Sequence, residues 1–285
     1  MLTAACGQAR PPRSEPRPDT PAEVADAVCQ SYEAGACIAQ IRAPSTHHPQ
    51  TGRPMTDLEV WTEMVERIRE RCDILIHFGV AAMQIEDRIE LLEALRPDLA
   101  AFLLGHHDLA TRGRSLNSLR TREDCVRLAE AHLRLGITPE FEVFHAGHVW
   151  NLRYVVERVE IPRPLYMTLF FGWEGGEWSP PTMEEFLSRR QLVPDDAVYT
   201  LTFAGEEQLA VQMLAIARGG HVRVGLGDYP VYRQAGEYAA TTAQMVERVA
   251  RLASELGRPV ATPSQARELL AIGEAAGRPR AAAHA

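Results

Sequence analysis

A chain of 285 residues, 46% hydrophobic and 24% charged, holds enough apolar material for one large core. Its net charge of −8 excludes the basic stripe that a nucleic-acid partner needs, and no run approaches the roughly 18 apolar residues that span a bilayer. Every positive side chain is arginine, so chemistry that depends on a lysine amine is excluded: Schiff-base aldolases, pyridoxal-phosphate enzymes and P-loop phosphate binders.

In chain order, Leu2 to Cys6 reads as a short strand rather than a secretory segment, because no positive region precedes it and prolines and arginines follow at once. The box Thr20-Pro21-Ala22-Glu23 opens a helix to about Ala34, ended by Gly35. A strand over Cys37 to Ile41 follows, then a loop with His47 and His48, then a second box at Thr56 opening a helix to about Arg71. The unit repeats: strand 74–78, helix 86–96, strand 100–104, helix from Thr121 to about Gly136, strand 140–144, helix 146–158 and strand 165–171. Helix 183–190, strand 198–203, helix 206–218, a strand from His221 and a helix over 242–256 complete it, and Thr262 caps a last short helix. The strand from His221 is expected to run through Asp228, with His221, Arg223, Gly225 and Gly227 on one face.

Eight apolar strands alternating with helices predict a parallel (β/α)8 TIM barrel as a single domain over 1–273, with a flexible tail at 274–285. The five cysteines are odd in number and lack paired spacing, which suits free thiols in the cytoplasm. In such a barrel the chemistry sits where strands end. The polar residues there are Gln8, Gln40, Arg42, His77, His106, His107, Asp108, Glu140, Glu142, His145, Thr168, Thr202, Arg223 and Asp228.

Several segments resemble the beta-keto acid cleavage enzyme family, whose type member is 3-keto-5-aminohexanoate cleavage enzyme. They are Leu2-Thr3-Ala4-Ala5, Asp19-Thr20-Pro21-Ala22-Glu23, Thr51-Gly52-Arg53-Pro54, Arg96-Pro97-Asp98-Leu99-Ala100, Pro139-Glu140-Phe141-Glu142, Gly219 to Asp228, and Ala261-Thr262-Pro263. The resemblance implies a barrel that assembles as a homo-oligomer, a dimer or a tetramer, and transfers a fragment between a β-keto acid and an acyl-CoA. It also implies a zinc ion held by a His-x-His pair on the second strand and a glutamate on the eighth. An arginine and an aspartate on the eighth strand would position and deprotonate the substrate.

Carried onto this chain, the arginine and aspartate are Arg223 and Asp228, whereas the zinc positions hold Gln40, Arg42 and Gly227. An amide is a poor zinc ligand, a guanidinium has no lone pair to give and glycine has no side chain. The expectation is therefore a metal-independent lyase or acyltransferase acting on a small β-keto or related carboxylate, with acyl-CoA as co-substrate. Asp228 is its base, Arg223 and Arg42 bind anionic groups, and Glu142, His106 and His77 complete the catalytic set. Gln40, Glu140 and His145 join Arg42 in binding substrate. Structural readings stand beside these: Arg42 paired with Glu140 or Glu142, and Arg223 paired with Asp228. The three strand-end histidines could instead gather a relocated metal ion. A non-catalytic binding barrel, or a hydrolase or isomerase working through His77, His106 and His145, is the alternative.

Overall fold

A computed structural model describes residues 1–7, 18, 20–43, 57–80, 83–111, 114–172, 179–233 and 236–273. Eight strands line a closed barrel: β1 (Leu2–Cys6), β2 (Ile38–Ile41), β3 (Leu75–Phe78), β4 (Leu99–Leu103), β7 (Thr138–Val143), β8 (Leu165–Phe171), β9 (Ala197–Phe203) and β10 (His221–Val224). Their spatial order is β1-β10-β9-β8-β7-β4-β3-β2. With helices between successive barrel strands, this is the (β/α)8 TIM barrel. Strands covered on both faces read as continuous apolar runs, and β1, β2, β3, β4 and β8 are buried at every position.

Two short antiparallel ribbons were not expected from the sequence: β5 (His107–Thr111) with β6 (Arg114–Ser118), and β11 (Val231–Arg233) with β12 (Glu237–Tyr238). Both are too polar and too short to show an apolar strand pattern. Gln8, His47, His48, the segment Thr51 to Pro54, the cap Thr56 and the tail 274–285 lie outside the described residues.

One compact unit comprises the described residues of Met1–Gly79, Val224–Glu268 and Ile272–Ala285. In it α1 (Pro21–Glu33) starts with the expected box, Thr20 Oγ1 accepting from the Glu23 amide while the Glu23 carboxylate accepts from the Thr20 amide. Each such cap contributes about 1 kcal/mol. Helices α2 (Asp57–Arg69) and α8 (Thr242–Glu255) both pack on α1, and α9 (Pro263–Leu269) follows α8. Strands β1, β2 and β3 pair in parallel with Ala5 opposite Gln40 and Gln40 opposite His77.

The second unit is Val80–Arg223 with Leu269–Ala271. Its helices are α3 (Ile85–Leu95), α4 (Arg122–Leu135), α5 (Ala146–Val156), α6 (Met183–Arg190) and α7 (Gln208–Ala217). Helix α4 starts after Thr121 as predicted, and Thr121 and Asp124 form a capping box there. Between strands and helices Phe102 meets Phe141 at 5.0 Å between ring centroids, whereas Phe144 and Phe170, 4.4 Å apart, pack on the face that also carries Glu140. On that face of β7, Glu140 lies opposite Tyr166 and Glu142 opposite Thr168 of β8.

Candidate active site

Strand β10 stops at Val224, four residues short of the sequence expectation, and Gly225 to Asp228 forms a turn. The cause lies in Gly225. Its φ is +152°, and a Cβ there would come within 2.4 Å of the Ala5 carbonyl oxygen, so only glycine lets the chain leave the strand against β1. Asp228 and Tyr229 donate their amides to Gly225 O at 3.1 and 3.2 Å, Gly227 donates to Ala5 O, and Leu226 donates to Thr242 Oγ1. The turn is thus fixed from β1 and from the start of α8.

Arg42, just beyond β2, reaches this turn. Its Nη1 donates to Gly227 O at 2.9 Å, and its Nη2 lies 3.6 Å from Asp228 Oδ1. The Arg42 side chain is 30% exposed and that of Asp228 3%, so a cation that water can reach stands over a carboxylate that is almost covered. Gln40, in the neighbouring inward position of β2, is buried and lies over Gly79, where an added Cβ would fall 1.9 Å from its Nε2. His77 is also buried, on β3 beside Gln40.

In the other unit Arg223 is fully buried, with Nη1 3.5 Å from Glu140 Oε1 and its guanidinium 4.9 Å from the Phe170 ring centroid. The Thr168 hydroxyl donates to the same Glu140 oxygen. Arg42 thus pairs with Asp228, and Arg223 with Glu140.

Glu142 is buried within electrostatic reach of two arginines, Arg88 and Arg120. Burial first, and the like charge of Arg120 second, push the Arg88 guanidinium down to about 9, so it stays a cation at neutral pH. None of its three guanidinium nitrogens has a hydrogen-bond partner among the described residues. His106 is exposed, its Nδ1 accepting from the Arg120 amide at 3.2 Å. His145 caps α5, Nδ1 accepting from the Gly147 amide at 3.1 Å, and its ring stacks at 4.0 Å on buried His148. His148 accepts from the Phe144 amide on Nδ1 and so donates from Nε2 to His106 O at 3.3 Å, clasping the ends of β7 and β4.

Arg88, Arg120 and His148 were missed because charged residues on a helix or in a loop are read as solvated. A signal existed for two of them. Arg88 falls on the stripe of Ile85, Leu91 and Leu92, and His148 on that of Val149, Leu152 and Val155, where only buried side chains sit.

The positions at which the resemblance implies zinc ligands do not fit that ion. Gln40 offers a neutral amide, Arg42 is a cation already directed at Gly227 O and Asp228, and Gly227 contributes only backbone. Among the described residues no group of three or more His, Cys, Asp or Glu side chains is placed to hold a metal ion, the three strand-end histidines included.

Residues 1–272 match the model of a family described as beta-keto acid cleavage enzyme. The 3-keto-5-aminohexanoate cleavage enzyme of Acetoanaerobium sticklandii is 30% identical over 278 residues, covering 95% of this chain and 98% of the relative. The 3,5-dioxohexanoate:acetyl-CoA acetone transferase of Paraburkholderia graminis is 26% identical over 284 residues, covering 91% of this chain and 90% of the relative. A solved structure of ObcA with a C4-CoA adduct and oxalate matches the fold with a TM-score of 0.69 at 17% identity, over 89% of this chain and 67% of that one.

Proposed function

The chain belongs to the beta-keto acid cleavage enzyme family, and from that premise we propose that it transfers an acyl fragment between a small β-keto carboxylate and acetyl-CoA without the zinc that the resemblance implies. It is an enzyme of carbon–carbon cleavage or acyl transfer. The observation that carries the finer reading is the Arg42 guanidinium, 2.9 Å from Gly227 O and 3.6 Å from Asp228 Oδ1 at the partly open end of the strands.

Asp228 takes the proton from the carbon between the two carbonyl groups of the β-keto acid. The electron pair moves onto a carbonyl oxygen, and Arg42 stabilises the negative charge that develops there. A guanidinium fixed before the reaction needs no reorganisation, and it presents parallel N–H donors to a planar enolate or carboxylate. The carbon so activated can then attack a thioester carbonyl, the first step of the exchange. Arg223, paired with a Glu140 carboxylate that also accepts from the Thr168 hydroxyl, serves as a buried support rather than as a substrate contact, because its side chain is wholly covered. Glu142, His77 and His106 remain proposed catalytic groups, and Gln40 and His145 proposed substrate contacts.

The test offers acetyl-CoA together with the β-keto acids named for the relatives, 3-keto-5-aminohexanoate, 3,5-dioxohexanoate, 3-dehydrocarnitine and 3-oxoadipate. Mass spectrometry follows the new thioester. Loss of a general base lowers turnover by about 10²- to 10⁴-fold, so Asp228→Asn should fall in that range. An Asp228→Asn enzyme as fast as the parent would remove the base from the mechanism.

A further inference from the structure

Away from the proposed site, Cys29 of α1 and Cys72, three residues beyond the end of α2, bring their sulfurs to 3.6 Å although 43 residues separate them in sequence. A disulfide needs about 2.05 Å, so the thiols stand in van der Waals contact and closing the bond asks for a small displacement. Cys29 is 4% exposed, whereas Cys72 is half-buried and open to a small reagent. The remaining thiols are placed differently: Cys6 faces Ser31 and the Ala27 carbonyl, Cys37 the Leu2 carbonyl, and Cys125 the Leu103 carbonyl. Arg71, joined to Asp26 by an ion pair, sets a positive charge within electrostatic reach of both sulfurs of the pair.

We propose that Cys29 and Cys72 are a redox modification site, a dithiol that a hydroperoxide closes into an intramolecular disulfide tying α1 to the end of α2. The Cys72 thiolate attacks the terminal hydroperoxide oxygen. A sulfur–oxygen bond forms, the oxygen–oxygen bond breaks and the alcohol or water leaves, giving a sulfenic acid at Cys72. Cys29 sulfur then displaces that oxygen, which departs as water once protonated, and the sulfur–sulfur bond forms. Two thiols are oxidised by two electrons, and one hydroperoxide is reduced to an alcohol and water. Burial first and Cys29 second push the Cys72 thiol up to about 12. The closure is accordingly slow at neutral pH and quickens about tenfold per pH unit as the thiolate fraction grows.

The test treats the reduced, purified chain with excess hydrogen peroxide, blocks the remaining thiols with an alkylating agent in denaturant, and maps peptides by mass spectrometry. The expected result is loss of two of the five thiols and one cross-linked peptide pair joining Cys29 to Cys72, reversed by dithiothreitol. Cys125→Ser should retain that cross-link, and Cys29→Ser should leave Cys72 as a sulfenic acid that dimedone traps. Recovery of Cys29 and Cys72 as separately alkylated or separately over-oxidised residues, or cross-links formed only between chains, would overturn the proposal. The mapping of the parent chain decides this even where a variant fails to fold.

Discussion

Removing the Glu140 carboxylate tests how the buried centre is held. Glu140 is 1% exposed, its Oε1 lies 3.5 Å from Arg223 Nη1, and the Thr168 hydroxyl donates to that same oxygen. Arg223 is wholly buried, so Glu140→Ala withdraws its recorded counter-charge where water cannot replace it. Breaking a buried pair from one side costs about 3–5 kcal/mol, a large share of the roughly 5–15 kcal/mol that stabilises a folded domain. With an m-value of roughly 3 kcal/mol/M in urea, the midpoint should fall by about 1–2 M. Glu140→Gln keeps an oxygen that accepts from the Thr168 hydroxyl and fills the same space, and should lose less. Glu140→Leu combined with Arg223→Met removes both charges and should recover most of the loss. Urea unfolding followed by circular dichroism and tryptophan fluorescence reads all three. A Glu140→Ala midpoint within error of the parent would refute the pairing.

Arg42→Gln should change the urea midpoint by no more than about 1 kcal/mol equivalent, because its ion pair with Asp228 is 30% exposed on the arginine side; a loss like that of Glu140→Ala would place Arg42 in the core instead. Gly225→Ala should destabilise the chain more than Gly219→Ala. Both glycines have positive φ, but the added methyl meets Ala5 O at 2.4 Å in the first and nothing within 4 Å in the second; equal midpoints in urea would contradict the tight approach of the turn to β1. Burial pushes the Cys6 thiol from near 9 up to about 12. The neutral thiol is thus favoured in the folded chain, and its stabilisation is complete below pH 9 and lost as pH climbs from 9 through 12. Cys6→Ala should flatten the alkaline fall in folding constant by up to about tenfold per pH unit, read as the slope of urea stability against pH under reducing conditions; an unchanged slope would show that this thiol is not protected by burial.

Apolar runs and capping boxes made the barrel legible. Strands such as Leu2–Cys6, Leu99–Leu103 and Leu165–Phe171 are covered on both faces and have to be apolar throughout, and Thr20 and Thr121 mark helix starts by a hydrogen bond that few residue types can make. The end of β10 was misread because alternation carries no information about where a strand turns; that depended on the approach of Gly225 to Ala5, 220 positions away along the chain. The strand-end residues of the site were legible as polar interruptions, yet their pairing was not. Several acidic residues end neighbouring strands, and only the fold brings Arg42 to Asp228 and Arg223 to Glu140. His145 stood out as a strand-end histidine, but its capping of α5 through the Gly147 amide two residues on was not legible. The ribbons and the buried Arg88 stayed hidden because polar residues with tertiary partners look the same in sequence as polar residues in water.

The central claim is that a fixed guanidinium at Arg42 performs the charge stabilisation for which the relatives' pattern implies a metal ion. It is tested most directly by acyl transfer from acetyl-CoA to a β-keto acid before and after exhaustive chelation, in the parent and in Arg42→Gln, each with and without added zinc. The account predicts full turnover by the chelated parent, a loss of about 10²- to 10³-fold in Arg42→Gln, and no rescue by zinc. Turnover that chelation abolishes and zinc restores, with Arg42→Gln as active as the parent, would contradict it.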